Sequence, residues 1–203
     1  MPVRGFTFEP EPMKQFVDFG YDIYRDDSSW IPPARNHVTR QLKADFPFYR
    51  KEGNSHRKFI ATSGGRVLGR VAAMVNSEMK TGDGEQVGTV GFFECVNDRH
   101  VAAGLLDASL RWLTLEMGVS HVWGPMNFDI WHGYRFMTRG FDRDLFYGEP
   151  CNKPYYPDLF ERSGFQPVYK WDSLEIEGRQ RMEKMIKSAS MVRASRGLPA
   201  TST

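Results

Sequence analysis

Apolar positions along this chain recur first with the period of a strand, then with that of a helix, and the changes of period mark the elements. Val3 to Phe8 alternates well enough for a first strand, and Pro10 and Pro12 punctuate its exit. From Met13 the positions Phe16, Phe19 and Ile23 recur at helical spacing, with Tyr24 widening the stripe. This predicts a first helix ending near Arg25 to Ser29. Trp30-Ile31-Pro32-Pro33 cannot extend it, because each proline lacks a backbone donor and drives its predecessor out of the α region. A second helix is predicted over Ala34 to Ala44. His56 to Thr62 and Val67 to Asn76 read as strands, and Gly64-Gly65 between them suit a tight turn, so the two should pair antiparallel. Ser77 to Gln86 is expected to be a polar loop.

The stretch from Val87 to Gly118 carries the clearest pattern. A strand rich in β-branched and aromatic residues, Val87 to Val96, runs through a short polar turn into a helix starting at Arg99 or His100. Val101, Leu105, Ala108, Trp112 and Leu115 form one helical stripe, broadened by Leu106, Leu110 and Leu113. Gly118 is placed to end the helix by taking a left-handed conformation. Val119 to Trp123 then predicts a short strand, joined to the previous one through a helix and therefore parallel to it. Gly124 to Pro150 is long, aromatic and without period, as functional loops often are. Asn152 to Ser163 reads as a helix closed by Gly164, and Phe165 to Ile176 as a final strand or strand pair. From Gly178 the chain becomes a basic amphipathic helix and a polar tail. The whole predicts an α/β (α+β) domain over residues 1–177 and a tail over 178–203.

Composition narrows this picture without redirecting it. A chain of 203 residues, 40% hydrophobic and 26% charged, is ordinary for a globular protein, and its 14% aromatic content must fill a core or line a pocket. A formal charge of +2 gives no field that argues for nucleic acid. The two cysteines, Cys95 and Cys151, are too few for a disulfide framework. The N-terminal residues lack a signal-peptide pattern, and no run of about 18 apolar residues occurs, so the expectation is a cytoplasmic protein without a membrane span or membrane partner. His121 and His132 lack ligand spacing, and no metal site is expected.

Several stretches make the order of elements more specific. They are Gly69-Arg70-Val71-Ala72-Ala73, Gly91-Phe92-Phe93-Glu94, Gly124-Pro125-Met126-Asn127, and Asn152-Lys153-Pro154-Tyr155-Tyr156 ahead of Glu161-Arg162-Ser163-Gly164-Phe165. With Tyr24-Arg25-Asp26 and Trp30-Ile31-Pro32-Pro33, they resemble the GCN5-related N-acetyltransferase (GNAT) superfamily over roughly residues 3 to 176. The resemblance implies a mixed central sheet flanked by helices, with a strand–turn–helix unit that holds acyl-coenzyme A, as acetyl-CoA or another acyl-CoA. Phe93, Cys95 and Val96 would offer backbone to the pantetheine. The turn and first helical residues, Arg99, His100, Val101, Ala102, Ala103 and Gly104, would receive the pyrophosphate. Ala102 stands where the superfamily pattern has a glycine, and Asp98 adds a negative charge beside the implied anion, which points to weakened coenzyme A binding or to another acyl donor.

The same resemblance implies acyl transfer to a small-molecule amine. That chemistry needs a base for the amine and a proton for the leaving thiolate. Glu94 is the candidate base, or else a strand carboxylate paired with an arginine. Phe160 occupies the position of the superfamily's general-acid tyrosine, and Tyr156, four residues earlier on the same helical face, is its candidate substitute or a core residue. Cys95 reads as a structural thiol in preference to a nucleophile. Asn127 could contact pantetheine or acceptor, or cap its loop. Trp131, Tyr134 and Phe136 could line an acceptor pocket or belong to the core. The stretches resemble in particular a bacterial branch of GNAT-like proteins whose members often continue into a second, similar half, so the closing strand is either missing or contributed by a second subunit, and the latter predicts a homodimer. A catalytically degenerate GNAT-fold module that binds a ligand or assembles with a partner is the alternative to an acyltransferase.

Overall fold

A computed structural model describes residues 1–173 apart from 144, 146 and 147. The chain divides into two units, Met1–Gln166 and Pro167–Thr203. In the second, residues 167–173 carry no regular structure. The final strand expected from Phe165 is therefore absent up to residue 173. Its last residues and the tail from 178 lie outside the described residues.

The first unit is a five-stranded sheet in sequence order. β1 (Val3–Phe6), β2 (Ser55–Ser63), β3 (Arg66–Lys80) and β4 (Gln86–Cys95) are antiparallel in turn, and β5 (His121–Trp123) lies parallel to β4. Between β1 and β2 come α1 (Pro10–Asp22), α2 (Arg35–Gln41) and α3 (Pro47–Arg50). α4 (Arg99–Arg111) joins β4 to β5, and α5 (Tyr156–Arg162) follows the long segment.

The hairpin and the parallel β4–α4–β5 unit follow the sequence reading, while several boundaries differ for local reasons. β1 stops at Phe6, and Pro10 begins α1 instead of merely ending the strand, because a missing N–H costs nothing in a first helical turn. β3 runs on to Lys80, where it pairs with Gln86 and shortens the expected loop. α3 is too short to show a period. α5 starts at Tyr156, four residues later than Asn152.

Leu115, placed on the buried stripe of α4 by its spacing, is exposed. The helix widens into a π-turn over Trp112–Glu116, where the Met117 N–H donates to the Trp112 carbonyl, and this extra residue per turn rotates Leu115 off the stripe. Gly118 then takes φ +70° and ends the helix as its position predicts.

Helices cover both faces of the sheet. One face packs Val71, Ala73, Val90 and Phe93 against Val101, Leu105, Leu106, Leu113 and Phe160 of α4, its π-turn and α5. The other packs Ile60, Ala72, Met74 and Phe92 against Phe16, Leu42 and Phe48 of the first three helices and against Phe128.

Candidate functional site

The site begins where β4 stops being regular. Arg70 pairs with Glu94 and Ala72 with Gly91, so one residue of β3 opposes Phe92 and Phe93 together, a bulge that bends the strand. Phe92 sits at φ +50°, which side chains adopt only at a cost of about 1–3 kcal/mol and which tends to persist at sites. β5 pairs only with Val87 to Thr89, so beyond that point the strands part and other groups meet the edge of β4. The Met126 N–H donates to the Val90 carbonyl at 2.8 Å, and the Phe92 N–H donates to Asn127 Oδ1 at 2.6 Å. Gly91 permits this approach, because a Cβ there would stand 2.2 Å from the Met126 carbonyl oxygen.

Further along the edge the two tyrosines at the start of α5 bracket one residue. The Cys95 N–H donates to the Tyr156 hydroxyl at 3.0 Å, and the Tyr155 hydroxyl donates to the Cys95 carbonyl at 2.9 Å. The Tyr156 hydroxyl in turn donates to Glu94 Oε2 at 2.7 Å. Glu94 thus lies at the centre of a polar cluster, with 16% of its side chain still exposed. Arg70 Nη2 lies 3.7 Å from Glu94 Oε1, and Tyr24 and Lys153 also act on the carboxylate. Lys153 is itself paired with Asp27 at 2.9 Å and lies over the Tyr24 ring.

These surroundings set the proton affinities. Burial raises the Glu94 carboxyl above its ordinary range, opposed by Arg70 and then by the hydrogen bond from Tyr156. Burial and the nearby Glu94 push Tyr156 far up, so it remains a phenol that donates. Burial likewise holds Tyr24 protonated. Cys95 is fully buried and its thiol is pushed up to about 12, again chiefly by burial, which leaves it unreactive near neutral pH.

The structure brings Glu94, Tyr156, Cys95 and Asn127 to one stretch of β4, and buries Phe93 and Val101 in the core under α4 and α5, where Cys95 and Tyr156 also pack. Arg99, His100 and Ala103 are exposed on the first turn of α4, Val96 and Gly104 half-buried. Trp131 is exposed, whereas Phe136 packs against Phe160. Arg70, Tyr24, Tyr155 and Lys153 join the cluster without having been singled out for it. Arg70 was detectable: it stands in phase with the buried Ala72 and Met74 on a strand whose two faces are both apolar.

The turn before α4 does not fit a pyrophosphate as it stands. Asp98 caps the helix, its Oδ1 accepting from the N–H groups of His100 at 2.8 Å and Val101 at 3.4 Å. The anion at this helix end is the protein's own carboxylate. The methyl of Ala102 is no part of the obstacle, since it is buried in the core. At Cys95 the tyrosine hydroxyls already hold the backbone groups a pantetheine amide would use. Among the described residues no group of His, Cys, Asp and Glu could hold a metal ion, and no helix is long and apolar enough to cross a membrane.

No family model matches the chain. Protein YghO of Escherichia coli is 28% identical over 166 residues, covering 80% of this chain and 41% of that protein. The bacterial ceramide synthase of Caulobacter vibrioides is 25% identical over 203 residues, covering 94% of this chain and 48% of the synthase. The chain thus spans less than half the length of each. Among solved structures, an aminoglycoside 6'-N-acetyltransferase of Acinetobacter haemolyticus superposes with a TM-score of 0.52 at 11% identity, over 87% of this chain and all of that one. A transcriptional regulator of Bacillus halodurans does so with a TM-score of 0.50 at 11% identity, over 86% of this chain and all of that one. The chain has the GNAT fold, a mixed sheet with flanking helices.

Proposed function

We propose that this chain is an acyltransferase that moves an acyl group from a thioester to an amine, with Glu94 as the base. The observation that carries the reading is the Glu94 carboxylate, raised by burial, partly open, and held by Tyr156 beside the strained bulge of β4. Glu94 takes the proton from the attacking amine as the N–C bond forms and returns it to the sulfur as the C–S bond breaks, so the carboxylate ends as it began. Tyr156 has a different part from the acid implied by the resemblance. With its hydroxyl committed to Glu94 and to the Cys95 amide, it orients the base.

The donor we propose is an acyl thioester recognised without a pyrophosphate at α4, of which a carrier-protein thioester is the example. The Asp98 cap supports this choice. For the acceptor, the likeness to a bacterial ceramide synthase favours a long-chain amine over a small polar one. Amine-dependent thiol release tests the proposal, measured with acyl-pantetheine and acyl-CoA of equal chain length. Turnover of acyl-pantetheine at least equal to that of acyl-CoA is expected. A strong preference for acyl-CoA would reverse the donor assignment.

A second reading has its own observation. Tyr155 and Tyr156 close the backbone edge at Cys95, which is what a GNAT-fold module that binds or assembles without turnover would show. Absence of thiol release with every thioester and amine, from a folded protein, would favour it.

A further inference from the structure

Arg70 is an expensive residue to bury. It is 6% exposed, and its Nε has no hydrogen-bond partner. Its Nη1 donates to the Phe16 carbonyl at 2.6 Å, and its guanidinium lies 4.9 Å from the Phe16 ring centroid. The contact with Glu94, at 3.7 Å, is too long for a hydrogen bond, so the arginine acts on that carboxylate through charge. An apolar side chain would fill the same space without the desolvation cost. What holds the guanidinium in place is an absence on α1. A Cβ at Gly20 would stand 2.3 Å from Nη2, 2.4 Å from Cζ and 2.5 Å from Nη1.

We propose that Arg70, seated in the slot left by Gly20 and tied to the Phe16 carbonyl, is a positioning residue for Glu94. It keeps that carboxylate ionised and aimed while leaving its hydrogen bonding to Tyr156, Tyr24 and the substrate. The proposal deepens the acyltransferase reading, which it takes as its premise for the substrate, but its geometry does not depend on turnover. The charged and titratable groups facing the pair are Tyr21 of α1, Tyr24 beyond it, Cys95 of β4, Cys151, Lys153 and Tyr155 ahead of α5, and Tyr156 on α5; burial raises both thiols, which stay neutral near pH 7. None of them replaces the cation: the tyrosines are neutral, and Lys153 is engaged by Asp27.

The test follows the Glu94 side-chain carboxyl by carbon-13 NMR in glutamate-labelled protein, assigned with Glu94→Gln, across a pH titration of wild type, Gly20→Ala and Arg70→Gln. Gly20→Ala, which keeps every charge and only crowds the slot, is expected to raise the Glu94 midpoint. Arg70→Gln is expected to raise it further, about tenfold or more in proton affinity. An unmoved midpoint in folded Gly20→Ala overturns the proposal, as does one unmoved in Arg70→Gln; if Arg70→Gln does not fold, Gly20→Ala decides alone. A midpoint that moves in protein inactive on every thioester supports the positioning role and removes the acyltransferase reading. Where turnover is present, the acidic limb of its pH profile should move with the midpoint.

Discussion

The face of the sheet under α4 and α5 is filled with Leu105, Leu106, Leu113, Leu159 and Phe160 against Val71, Ala73 and Phe93, while the face under α1, α2 and α3 buries Lys58, Arg70 and much of Glu94 among Phe16, Ile60, Ala72 and Phe92. Among the described residues the first face buries no charged side chain and is stabilised chiefly by apolar area. On the second, each buried charge costs several kcal/mol unless something answers it, and the two cations are answered differently. Arg70 faces a carboxylate. Lys58 donates to the Thr7 carbonyl at 3.0 Å and lies 4.5 Å and 4.7 Å from the Phe8 and Tyr49 ring centroids, with His56 alongside and Glu9 as the nearest favourable charge. The contrast separates a cation the fold tolerates from one it uses.

The largest effect that would sharpen this contrast is at Lys58. Burial lowers its amine to about 7 from an ordinary 10.5. Between those values the unfolded chain binds the proton and the folded chain does not, so stability should rise with pH through that window and be lowest below about pH 7. Lys58→Met should flatten the rise between about pH 7 and 9 and raise the unfolding free energy at pH 7 by an amount on the order of a few kcal/mol, read from urea titrations across that range. A destabilised Lys58→Met would mean that the aromatic box stabilises the cation by more than burial costs. On the apolar face, Leu105→Ala should cost about 3–5 kcal/mol with no pH dependence, since a cavity is indifferent to protons.

Smaller effects test the edge of β4 and the surface. Asn127→Ala leaves the Phe92 N–H without its acceptor and should cost about 1–3 kcal/mol in the same titrations. Hydrogen exchange at Phe92 should accelerate with it. Asp107→Asn, which breaks the exposed pair with Arg111, should change stability by less than about 0.5 kcal/mol. A larger change there would show that α4 depends on surface charge more than its buried stripe suggests.

The apolar face was legible in the sequence because the stripe from Val101 to Trp112 is strong and reports one buried side of α4. The run from Val67 to Asn76 reads as a strand but is apolar on both faces, so it marks β3 as central without saying which side α4 covers. The charged face was harder to read. A lysine or arginine in a strand suggests solvent, and only its phase with Ile60 or with Ala72 and Met74 betrays burial. Glu94 and Tyr156 were found as candidates, but their direct hydrogen bond depends on a bulge and on a helix start that no period encodes. Asp98 was recognised as adverse to an anion; its role as the cap of α4 was also open to reading, since an aspartate directly before the expected helix start at Arg99 is a capping signal. The Gly20 slot left no trace, because a glycine within an amphipathic stripe looks like any small residue.

The central claim is that the ionised Glu94 carboxylate is a base for acyl transfer, and the rate of amine-dependent thiol release in wild type and Glu94→Gln tests it most directly. Glutamine keeps the size of the side chain and can still meet the Tyr156 hydroxyl, but it cannot take a proton. The account predicts turnover in wild type that falls by about 10²- to 10⁴-fold in folded Glu94→Gln, whose unfolding stability also falls because Arg70 loses the charge that answers it. Equal rates in the two proteins would contradict it.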